Sequence, residues 1–343
     1  MTVLAPRLTL RTTSLQARKA GLQLQLHHRA LHHRRVRRMG VVFSHAQTLL
    51  SFFNPFLLFQ RRAQTGVQDI MRWWDEDTVA VVTGANKGIG FEITKLLATM
   101  GFRTVLTARD EARGQEAVKR LRRETGKTVD FHTLDITSAE SVASFKAWAE
   151  EQYPQGITAL VNNAGFAFKG SVFGAQEAQE TLDVNYKGTR EVTEQLLPLL
   201  KDGQGRIVVV GSMAGRSGII KSADLLTRLQ ACQSDVELDC MLYGQFVQGI
   251  AAGTFSQEGW PKSMYGVSKL GLHLYCRLLA QRLVPRKIAV NVCCPGWCAT
   301  DMSSNRGIKT AAQGADTPVW LASLPPGETA TNKFFSSRQE QPF

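Results

Sequence analysis

Two side chains that could exchange a proton, Tyr265 and Lys269, lie four positions apart in the segment MYGVSKLGLHLYCRLLA (264–280). On a helix this spacing places the phenol and the ammonium on the same face, within reach of each other. A tyrosine beside a cation is a candidate proton donor. A pair at this spacing also arises by chance on a solvated helix surface, so the rest of the chain must supply the other parts of a site.

A glycine-rich turn, TGANKGIG (83–90), stands where the first apolar run gives way to a helical pattern. Its Gly84, Gly88 and Gly90 follow the spacing G-x-x-x-G-x-G. Glycines allow a backbone to approach a pyrophosphate, and the amino terminus of the next helix favours its charge. A simple tight turn would give the same glycines, but the position after an apolar run favours a dinucleotide site.

Cations follow the second apolar run, in TARDEARG (107–114). A fold that binds NAD offers an acid at this point for the ribose 2′-hydroxyl. This chain offers Arg109 and Arg113, with Lys87 in the first turn, and three cations suit the 2′-phosphate of NADPH. Asp110 could pair with one of them, and ordinary surface charge is the alternative.

The elements that would position these residues alternate along the chain from Thr78 onward. Helical patterns at 89–100, 111–124, 138–152 and 176–200 separate short runs rich in Val, Ile and Leu, which occupy residues 78–84, 103–108, 129–135, 158–165, 206–212 and 287–296. Strands of that composition are buried on both faces, so the alternation predicts an α/β fold with a doubly wound parallel sheet of the Rossmann type. Residues 333–337 could add one more strand.

The net charge of +12 is concentrated at one end of the chain. Residues 1–70 contain eleven Lys and Arg and one acid, Asp69, whereas the remainder contains 30 Lys and Arg against 28 Asp and Glu. The larger part is therefore nearly neutral, which argues against a broad phosphate-binding face and against a nucleic-acid partner. With 43% hydrophobic residues, the chain is long enough for a sizeable core.

Residues 1–70 are predicted to be a basic extension of a domain that occupies residues 71–343. An Arg-rich, acid-poor amino terminus is typical of an organelle transit peptide. The alternative is an unstructured stretch outside the working protein, with Met39 or Met71 as the start. The apolar segment 49–59 is too short for a clean membrane span. We expect a cytoplasmic protein if the chain starts near Met71, and a plastid or mitochondrial one if Met1 is used.

The cysteine pattern favours reduced thiols in an intracellular compartment. No secretory leader is evident, and neither a CxxC pair nor a Cys/His metal spacing occurs, so no metal is expected. The six cysteines are Cys232, Cys240, Cys276, Cys293, Cys294 and Cys298.

Taken together, these motifs resemble the short-chain dehydrogenase/reductases. The resemblance is carried by TGANKGIG, NNAG (162–165), Ser212, YGVSK (265–269) and PGW (295–297), and runs from about Asp77 to the end of the sequence. The stretches VLTARDEARG, EGWPKSMYGVSK and CCPGWCATDM are similar to the monomeric carbonyl reductases, the branch that includes plant menthone, neomenthol and salutaridine reductases.

A long spacing supports that branch. Ser212 and Tyr265 are 53 positions apart, whereas most of the wider family places them much closer together. The extra residues include a largely helical insertion within 219–262. In this branch the insertion covers the surface used elsewhere for oligomer packing, which implies a monomer, and it forms one wall of the substrate cleft.

The resemblance implies reduction of ketones, aldehydes or quinones to alcohols with NADPH. Tyr265 would be the proton donor, Lys269 and the cationic nicotinamide would lower the pKa of Tyr265, and Ser212 would share the substrate oxygen. Asn185, in LDVNYKGT (182–189), would hold a water that joins Lys269 to solvent, and its alternative is an amide that kinks or caps a helix. Gly211 stands where the family more often has a serine.

The cofactor cradle implied by the resemblance is larger than the glycine-rich turn. Asp135 would accept from the adenine amine. The implied contacts are Gly84, Asn86, Lys87, Gly88, Ile89, Gly90, Arg109, Arg113, Asp135, Ile136, Asn163, Ala164, Gly165, Tyr265, Lys269, Pro295, Gly296 and Thr300.

Three residues near the expected cleft have two interpretations each. Trp260 and Trp297 are either core residues or, with Ser212, an apolar wall of the substrate pocket. Cys298 is either a small packing residue or an oxidisable thiol at the cleft mouth.

Other functions are compatible with parts of the pattern. A regulatory module could bind NADPH without turnover, although the set Asn185, Ser212, Tyr265 and Lys269 argues against lost chemistry. An epimerase or dehydratase on nucleotide sugars usually carries a larger carboxyl-terminal domain than the residues after Thr300 provide. A Ser/Lys hydrolase is disfavoured because Ser212 lacks a nucleophile-elbow sequence.

Overall fold

The structure is a computed structural model and describes residues 73–327 and 330–343. The predictions made for residues 1–70, for the starts at Met39 and Met71 and for the apolar segment 49–59 lie outside the described residues. Within the described ranges, none of the helices is both long and apolar enough to cross a membrane.

A single sheet carries the fold, in the order β3-β2-β1-β4-β5-β6-β7-β8. Its strands are β1 (Val79–Val82), β2 (Arg103–Ala108), β3 (Asp130–Thr133), β4 (Ala159–Asn162), β5 (Arg206–Val210), β6 (Ala289–Cys294), β7 (Lys333–Ser336) and β8 (Gln339–Gln341). Pairing is parallel from β3 across to β7, and β8 is antiparallel to β7. The predicted doubly wound α/β sheet is confirmed, and β8, which is polar and three residues long, is an addition to it.

Helices connect and flank these strands. They are α1 (Gly88–Met100), α2 (Glu111–Thr125), α3 (Ala139–Gln152), α4 (Ala175–Leu182), α5 (Thr189–Leu196), α6 (Ala223–Ala231), α7 (Asp235–Asp239), α8 (Gln248–Ala252), α9 (Met264–Arg282) and α10 (Ala311–Ala322). Two π-helical segments interrupt this series, Asp183–Gly188 between α4 and α5 and Cys240–Val247 between α7 and α8. The predicted helix at 176–200 is therefore three shorter pieces in succession, and a 3₁₀ turn at Leu197–Leu199 ends it.

Each face of the sheet has its own core, because strand side chains alternate between the faces. On β1, Val79 and Val81 belong to the core that includes residues of α3, α5 and α9. Ala80 and Val82 belong to the other core, with residues of α1, α2 and α10. All of β1, β4, β5 and β6 is buried, as expected of strands covered on both sides.

The expected insertion within 219–262 contains α6, α7 and α8 and packs on the same face as α9. Leu238 and Phe246 are part of that core. Asp239 forms an ion pair with Arg190 of α5 at 2.8 Å, and the Tyr243 hydroxyl donates to Asp183 at 2.9 Å. The insertion therefore lies against α5, α9 and the π-helical turn before α5.

Candidate active site

The sequence-predicted site residues follow the carboxyl ends of six parallel strands. Gly84 follows β1, Arg109 follows β2, Asp135 follows β3, Asn163 follows β4, Ser212 follows β5, and Pro295 follows β6. Ligands of doubly wound sheets bind along this edge. The topology therefore gathers residues that are up to about two hundred positions apart in the chain at one edge of the sheet.

The glycine-rich turn needs its glycines for two separate reasons. Gly84 and Gly88 have φ values of +62° and +58°, which side chains rarely adopt. A Cβ on Gly90 would lie 2.4 Å from Nδ2 of Asn163 and 2.5 Å from the oxygen of Gly84. Asn163 donates through that Nδ2 to the main-chain oxygens of Thr83 and Gly84, at 2.9 and 3.1 Å. Its side chain thus braces the turn.

The start of α1 fits the pyrophosphate of a dinucleotide. Lys87 is the N-cap, its side chain caps none of the free N–H groups, and no acid stands in the first turn. By contrast, Asp110 and Ser138 cap α2 and α3 with their side chains. The uncapped N–H groups and the positive end of the helix dipole of α1 are complementary to a phosphate anion.

The three cations predicted for the 2′-phosphate have different surroundings. Lys87 forms an ion pair with Asp301 at 2.6 Å, and the two side chains are 61% and 65% exposed. This contact lowers the pKa of the Asp301 carboxyl. Arg113 lies 3.9 Å from Asp110. Arg109 is exposed at the end of β2. Two of the three cations thus have an acid partner within the protein.

Tyr265, Ser212 and Lys269 come together beside the end of β5. The side chain of Ser212 hydrogen-bonds the Tyr265 phenol and accepts from the main-chain N–H of Ala214 at 3.1 Å. Nζ of Lys269 donates to the main-chain oxygen of Val210 at 3.0 Å and lies 5.8 Å from the centre of the Tyr265 ring. Tyr265 and Lys269, the predicted neighbours on α9, therefore lie on the face of the helix that meets Ser212 and the end of β5.

Burial governs the ionisation of this pair. Loss of solvent raises the pKa of Tyr265, and the hydrogen bond from Ser212 opposes that rise. Burial lowers the pKa of Lys269 to about 8. In the protein alone the pKa of Tyr265 is raised, because the desolvation of the phenol outweighs the hydrogen bond from Ser212. The predicted lowering of this pKa by Lys269 together with the cationic nicotinamide stays a prediction.

Asn185 lies in the π-helical segment between α4 and α5 and is fully buried. Its Oδ1 accepts from the N–H of Phe166 at 2.8 Å, and its Nδ2 donates to the Phe166 oxygen at 2.9 Å and to Ser268 at 3.0 Å. A Cβ on Gly165 would lie 2.9 Å from this Oδ1 and 3.5 Å from Nζ of Lys269. Asn185 thus joins the end of β4 to α9, and its role with a water stays a prediction.

The remaining cradle residues line the same edge of the sheet. Oδ1 of Asp135 accepts from the N–H and hydroxyl of Thr137, at 2.9 and 2.7 Å. Gly296 has a φ of +87°. A Cβ on Gly88 would lie 3.5 Å from the methyl of Thr300, so the loop after β6 closes over the glycine-rich turn. Within and beside the glycine-rich turn stand Asn86 and Ile89, and Ile136 follows β3. Ala164 packs against Gly84.

The residues with two interpretations differ in burial. Trp260 is 3% exposed and its ring packs 5.2 Å from Phe246, whereas Trp297 is 57% exposed. A pocket role for either tryptophan stays a prediction. Cys298 is buried so close to Gly314 that a Cβ added to this glycine would lie 2.5 Å from the cysteine Sγ. Burial also raises the pKa of the Cys298 thiol. These contacts favour the packing interpretation of Cys298.

His273 is a neighbour of the site that the sequence analysis missed. It lies one turn after Lys269 on α9, and its Nε2 accepts from the N–H of Ser212 at 3.4 Å. A Cβ on Gly211 would lie 2.4 Å from this Nε2. Two signals in the sequence pointed to His273. It stands four positions after Lys269, and Gly211 replaces the usual serine because the His273 ring occupies the space that a serine side chain would need.

Comparison with known proteins agrees with this arrangement. Residues 78–223 match the family model described as short chain dehydrogenase, and residues 249–328 match one described as enoyl-(acyl carrier protein) reductase. The chain is 43% identical over 260 residues to carbonyl reductase (NADPH) 3 of Rattus norvegicus, which covers 73% of this chain and 92% of the relative.

Two solved structures of plant enzymes are similar in fold, and each shares 30% sequence identity with this chain. Salutaridine reductase of Papaver somniferum has a TM-score of 0.68 and covers 76% of this chain and 99% of its own. Menthone neomenthol reductase of Mentha piperita has a TM-score of 0.65, with 76% and 98% covered. The fold, the position of the site residues at the carboxyl edge of the sheet and the sequence identity all agree. This chain belongs to the short-chain dehydrogenase/reductase family.

Proposed function

We propose that this protein is an NADPH-dependent carbonyl reductase. The observation that carries the proposal is the meeting of Tyr265, Ser212 and Lys269 at the end of β5, beside a glycine-rich turn whose helix start is free for a phosphate. The name of the rat relative, which includes carbonyl reductase and NADPH, supports it. When bound, NADPH supplies the hydride that reduces the carbonyl carbon.

Tyr265 gives the proton to the carbonyl oxygen. Because burial raises the pKa of its phenol, Tyr265 carries its proton at neutral pH. The Ser212 side chain interacts with that phenol, so both can contact one substrate oxygen. Two donors at the oxygen stabilise the negative charge that develops on it in the transition state.

Lys269 stabilises the phenolate that remains after proton transfer. With a pKa of about 8, its ammonium is largely protonated at neutral pH. It is held by the Val210 oxygen at 3.0 Å. An opposite charge close to a phenolate favours the ionised form, and this effect is strong in a site from which water is excluded. Asn185 positions α9 through its bond to Ser268.

The cofactor preference rests on charge. Lys87, Arg109 and Arg113 lie around the ends of β1 and β2, where a dinucleotide with a 2′-phosphate offers them a dianion. Lys87 and Arg113 each have an acid partner, whereas Arg109 forms no ion pair among the described residues. The substrates are ketones, aldehydes or quinones of moderate size, and the products are alcohols.

The protein acts as a monomer. The insertion within 219–262 lies across α5 and α9, with Leu242 against Gly271 and Asp239 paired with Arg190. It covers helices that would otherwise be free to pack against a second copy. Light scattering should give the mass of one chain, and a dimer mass would contradict this arrangement.

The compartment depends on which start is used in the cell. A chain that begins at Met71 would lack the Arg-rich segment and remain in the cytoplasm, whereas a chain from Met1 would be imported into a plastid or mitochondrion. A fusion of residues 1–70 to a fluorescent reporter decides between them by its location.

Turnover with Tyr265→Phe tests the proposed reaction. The variant keeps the ring but removes the proton and one donor to the carbonyl oxygen, so kcat with a simple quinone or ketone and NADPH should fall by about 10²–10⁴-fold. Tyr275→Phe is the matched control, because it removes a hydroxyl from the same helix that bonds Glu194 instead, at 2.7 Å. Its kcat should stay close to that of the unaltered protein.

Two outcomes would contradict the proposal. A kcat above about a tenth of the original in Tyr265→Phe would mean that the proton comes from another group. No turnover of any carbonyl compound by the unaltered protein, together with tight NADPH binding, would indicate a regulatory module. Assays of a panel of ketones, aldehydes and quinones with NADPH and with NADH distinguish these cases.

A further inference from the structure

The main chain leaves the sheet at Ser212, directly after the end of β5. The last residue pair between β5 and β6 is Val210 with Cys293, and the N–H of Gly211 still donates to the Cys293 oxygen at 2.8 Å. The next N–H, that of Ser212, donates to the ring of His273, with 3.4 Å between the amide nitrogen and Nε2. A side chain of α9 thus takes the place of the sheet as acceptor for Ser212.

The ring of His273 is fixed in place by aromatic neighbours. It is buried, and its centre lies 5.0 Å from the ring centre of Phe334 on β7 and 5.9 Å from that of Phe343. Phe343 is held in turn, because its main-chain oxygen accepts from the Ser217 hydroxyl at 2.6 Å. Side chains packed in a core keep one rotamer, so Nε2 has a defined position relative to the Ser212 turn.

Gly211 leaves the room that the ring needs. A Cβ at this position would lie 2.4 Å from Nε2 of His273 and 2.5 Å from Cγ1 of Val292. Such separations are far below van der Waals contact, so any other residue would displace the ring, Val292 or both. The ring reaches the Ser212 N–H because residue 211 is a glycine.

Packing alone does not account for an imidazole at this place. The ring lies against two phenylalanines, and its Nδ1 has no hydrogen-bond partner among the described residues. A buried polar atom without a partner costs free energy, which an apolar side chain would avoid. What the histidine adds is the acceptor Nε2. Burial and the charge of Lys269 lower the pKa of His273 to about 3, so the ring is neutral and Nε2 stays an acceptor at neutral pH.

We propose that His273 is a positioning residue for carbonyl reduction, whose Nε2 holds the main chain of Ser212 so that the Ser212 hydroxyl stays beside the Tyr265 phenol. On its other side Ser212 is held by Ala214, whose N–H donates to the Ser212 Oγ at 3.1 Å. His273 acts through Ser212 and not on the substrate. The inference rests on the proposed function, in which Ser212 and Tyr265 share one substrate oxygen.

The kinetics of His273→Leu test this role. Leucine keeps the place apolar and removes the acceptor, so the Ser212 turn loses one of its two attachments. A small misplacement of a catalytic group costs up to about a hundredfold in rate. We therefore expect kcat with a simple quinone to fall by about 10–100-fold, with the Kd for NADPH unchanged. His273→Gln, which can place an amide oxygen near the position of Nε2, should restore most of this loss.

A second substitution separates positioning from structural damage. Ser212→Ala has no hydroxyl to position, so His273→Leu added to it should lower kcat by no more than about twofold further. An equal fall in both backgrounds would mean that His273 supports α9 in general, and the proposal would be overturned. Leu274→Ala is the matched control, because Leu274 is the buried neighbour of His273 on α9. It should lower the Tm and leave kcat close to that of the unaltered protein.

The tautomer of His273 tests the contact without any measurement of turnover. If Nε2 accepts from Ser212, the proton of the neutral ring is on Nδ1. In ¹⁵N NMR of the full chain labelled in histidine, the ring signals lost in His273→Gln should show this tautomer, unchanged between pH 8 and pH 5. A proton on Nε2 would overturn the proposal whatever the activity. The expected tautomer in a protein that turns over no carbonyl compound would overturn the proposed function, and the positioning role with it, while the contact itself would stand.

Discussion

At the scale of the residue, His273 makes the stability of the protein sensitive to acid. Burial lowers the pKa of this histidine to about 3, and the charge of Lys269 acts in the same direction. Between that value and the ordinary 6.5, the unfolded chain binds a proton that the folded chain does not. Stability contributed by the neutral ring is therefore present above pH 6.5 and is lost as the pH falls below it.

We expect one histidine with these values to lower the free energy of unfolding by about 2 kcal/mol between pH 8 and pH 5. Urea denaturation of the unaltered protein and of His273→Gln at both pH values measures this contribution. The variant does not titrate, so its loss of stability over the interval should be smaller by about that amount. An equal loss in both proteins would show that His273 is not the group responsible.

The pKa values of single residues were the part that the sequence could least predict. The spacing of Tyr265 and Lys269 on one helix correctly predicted that they are neighbours. It could not show that Lys269 is buried and donates to the end of β5, because that burial arises from contacts distant in sequence. The pKa of Tyr265 is raised because its own phenol is buried, which the spacing along the helix does not reveal.

At the scale of the element, the loop after β6 is connected to the start of α1 by the ion pair of Lys87 and Asp301. We expect that Lys87 must leave this carboxylate to bind a 2′-phosphate. Exposed ion pairs contribute about 0.2–1 kcal/mol. Asp301→Asn should therefore lower the KM for NADPH by up to about fivefold and leave the KM for NADH unchanged.

Asp316→Asn is the matched control for that experiment. Asp316 lies on α10 and forms an exposed ion pair with Arg338. Its replacement removes one negative charge, so the net charge changes by the same amount as in Asp301→Asn. The KM of Asp316→Asn for NADPH should remain that of the unaltered protein. A higher KM for NADPH in Asp301→Asn would mean that Asp301 supports cofactor binding, and the idea of competition would be wrong.

Elements were predictable from sequence where one local pattern decides them. Runs such as TVAVVTG are apolar throughout, since the strands are buried on both faces, and they gave the positions of β1 to β7. The π-helical turn at Asp183–Gly188 was not predictable, because its residues have ordinary helical spacing. The turn is coupled to Asn185, whose side chain bonds the loop after β4, and this contact appears only in the folded chain.

At the scale of the whole molecule, two tryptophans hold the first described residues to the domain. Trp73 donates to the oxygen of Ser323 at 2.9 Å, and its ring lies 4.3 Å from the guanidinium of Arg206. Burial without an acid partner lowers the pKa of Arg206 to about 10. The tryptophan face therefore covers a buried cation at the start of the central strand β5.

Trp74 makes a second attachment close by. It donates to the oxygen of Met100 at 3.0 Å and stacks on Phe102, with ring centres 5.2 Å apart. These contacts connect the segment before β1 to the end of α1. Because both tryptophans lie after Met71, a chain that begins at Met71 keeps every contact described for this segment.

We therefore expect a chain that begins at Met71 to have the Tm and kcat/KM of the full chain. A chain that begins at Asp75 lacks both tryptophans and loses about 2–4 kcal/mol of ring burial and cation–π contact. Its Tm should be lower by about 5–15 °C. The Met71 chain with Trp73→Ala and Trp74→Ala is the control for length, and should melt like the Asp75 chain. A Met71 chain that is insoluble or inactive would show that residues 1–70 belong to the working protein, whereas equal Tm values for the Met71 and Asp75 chains would remove the role given to the tryptophans.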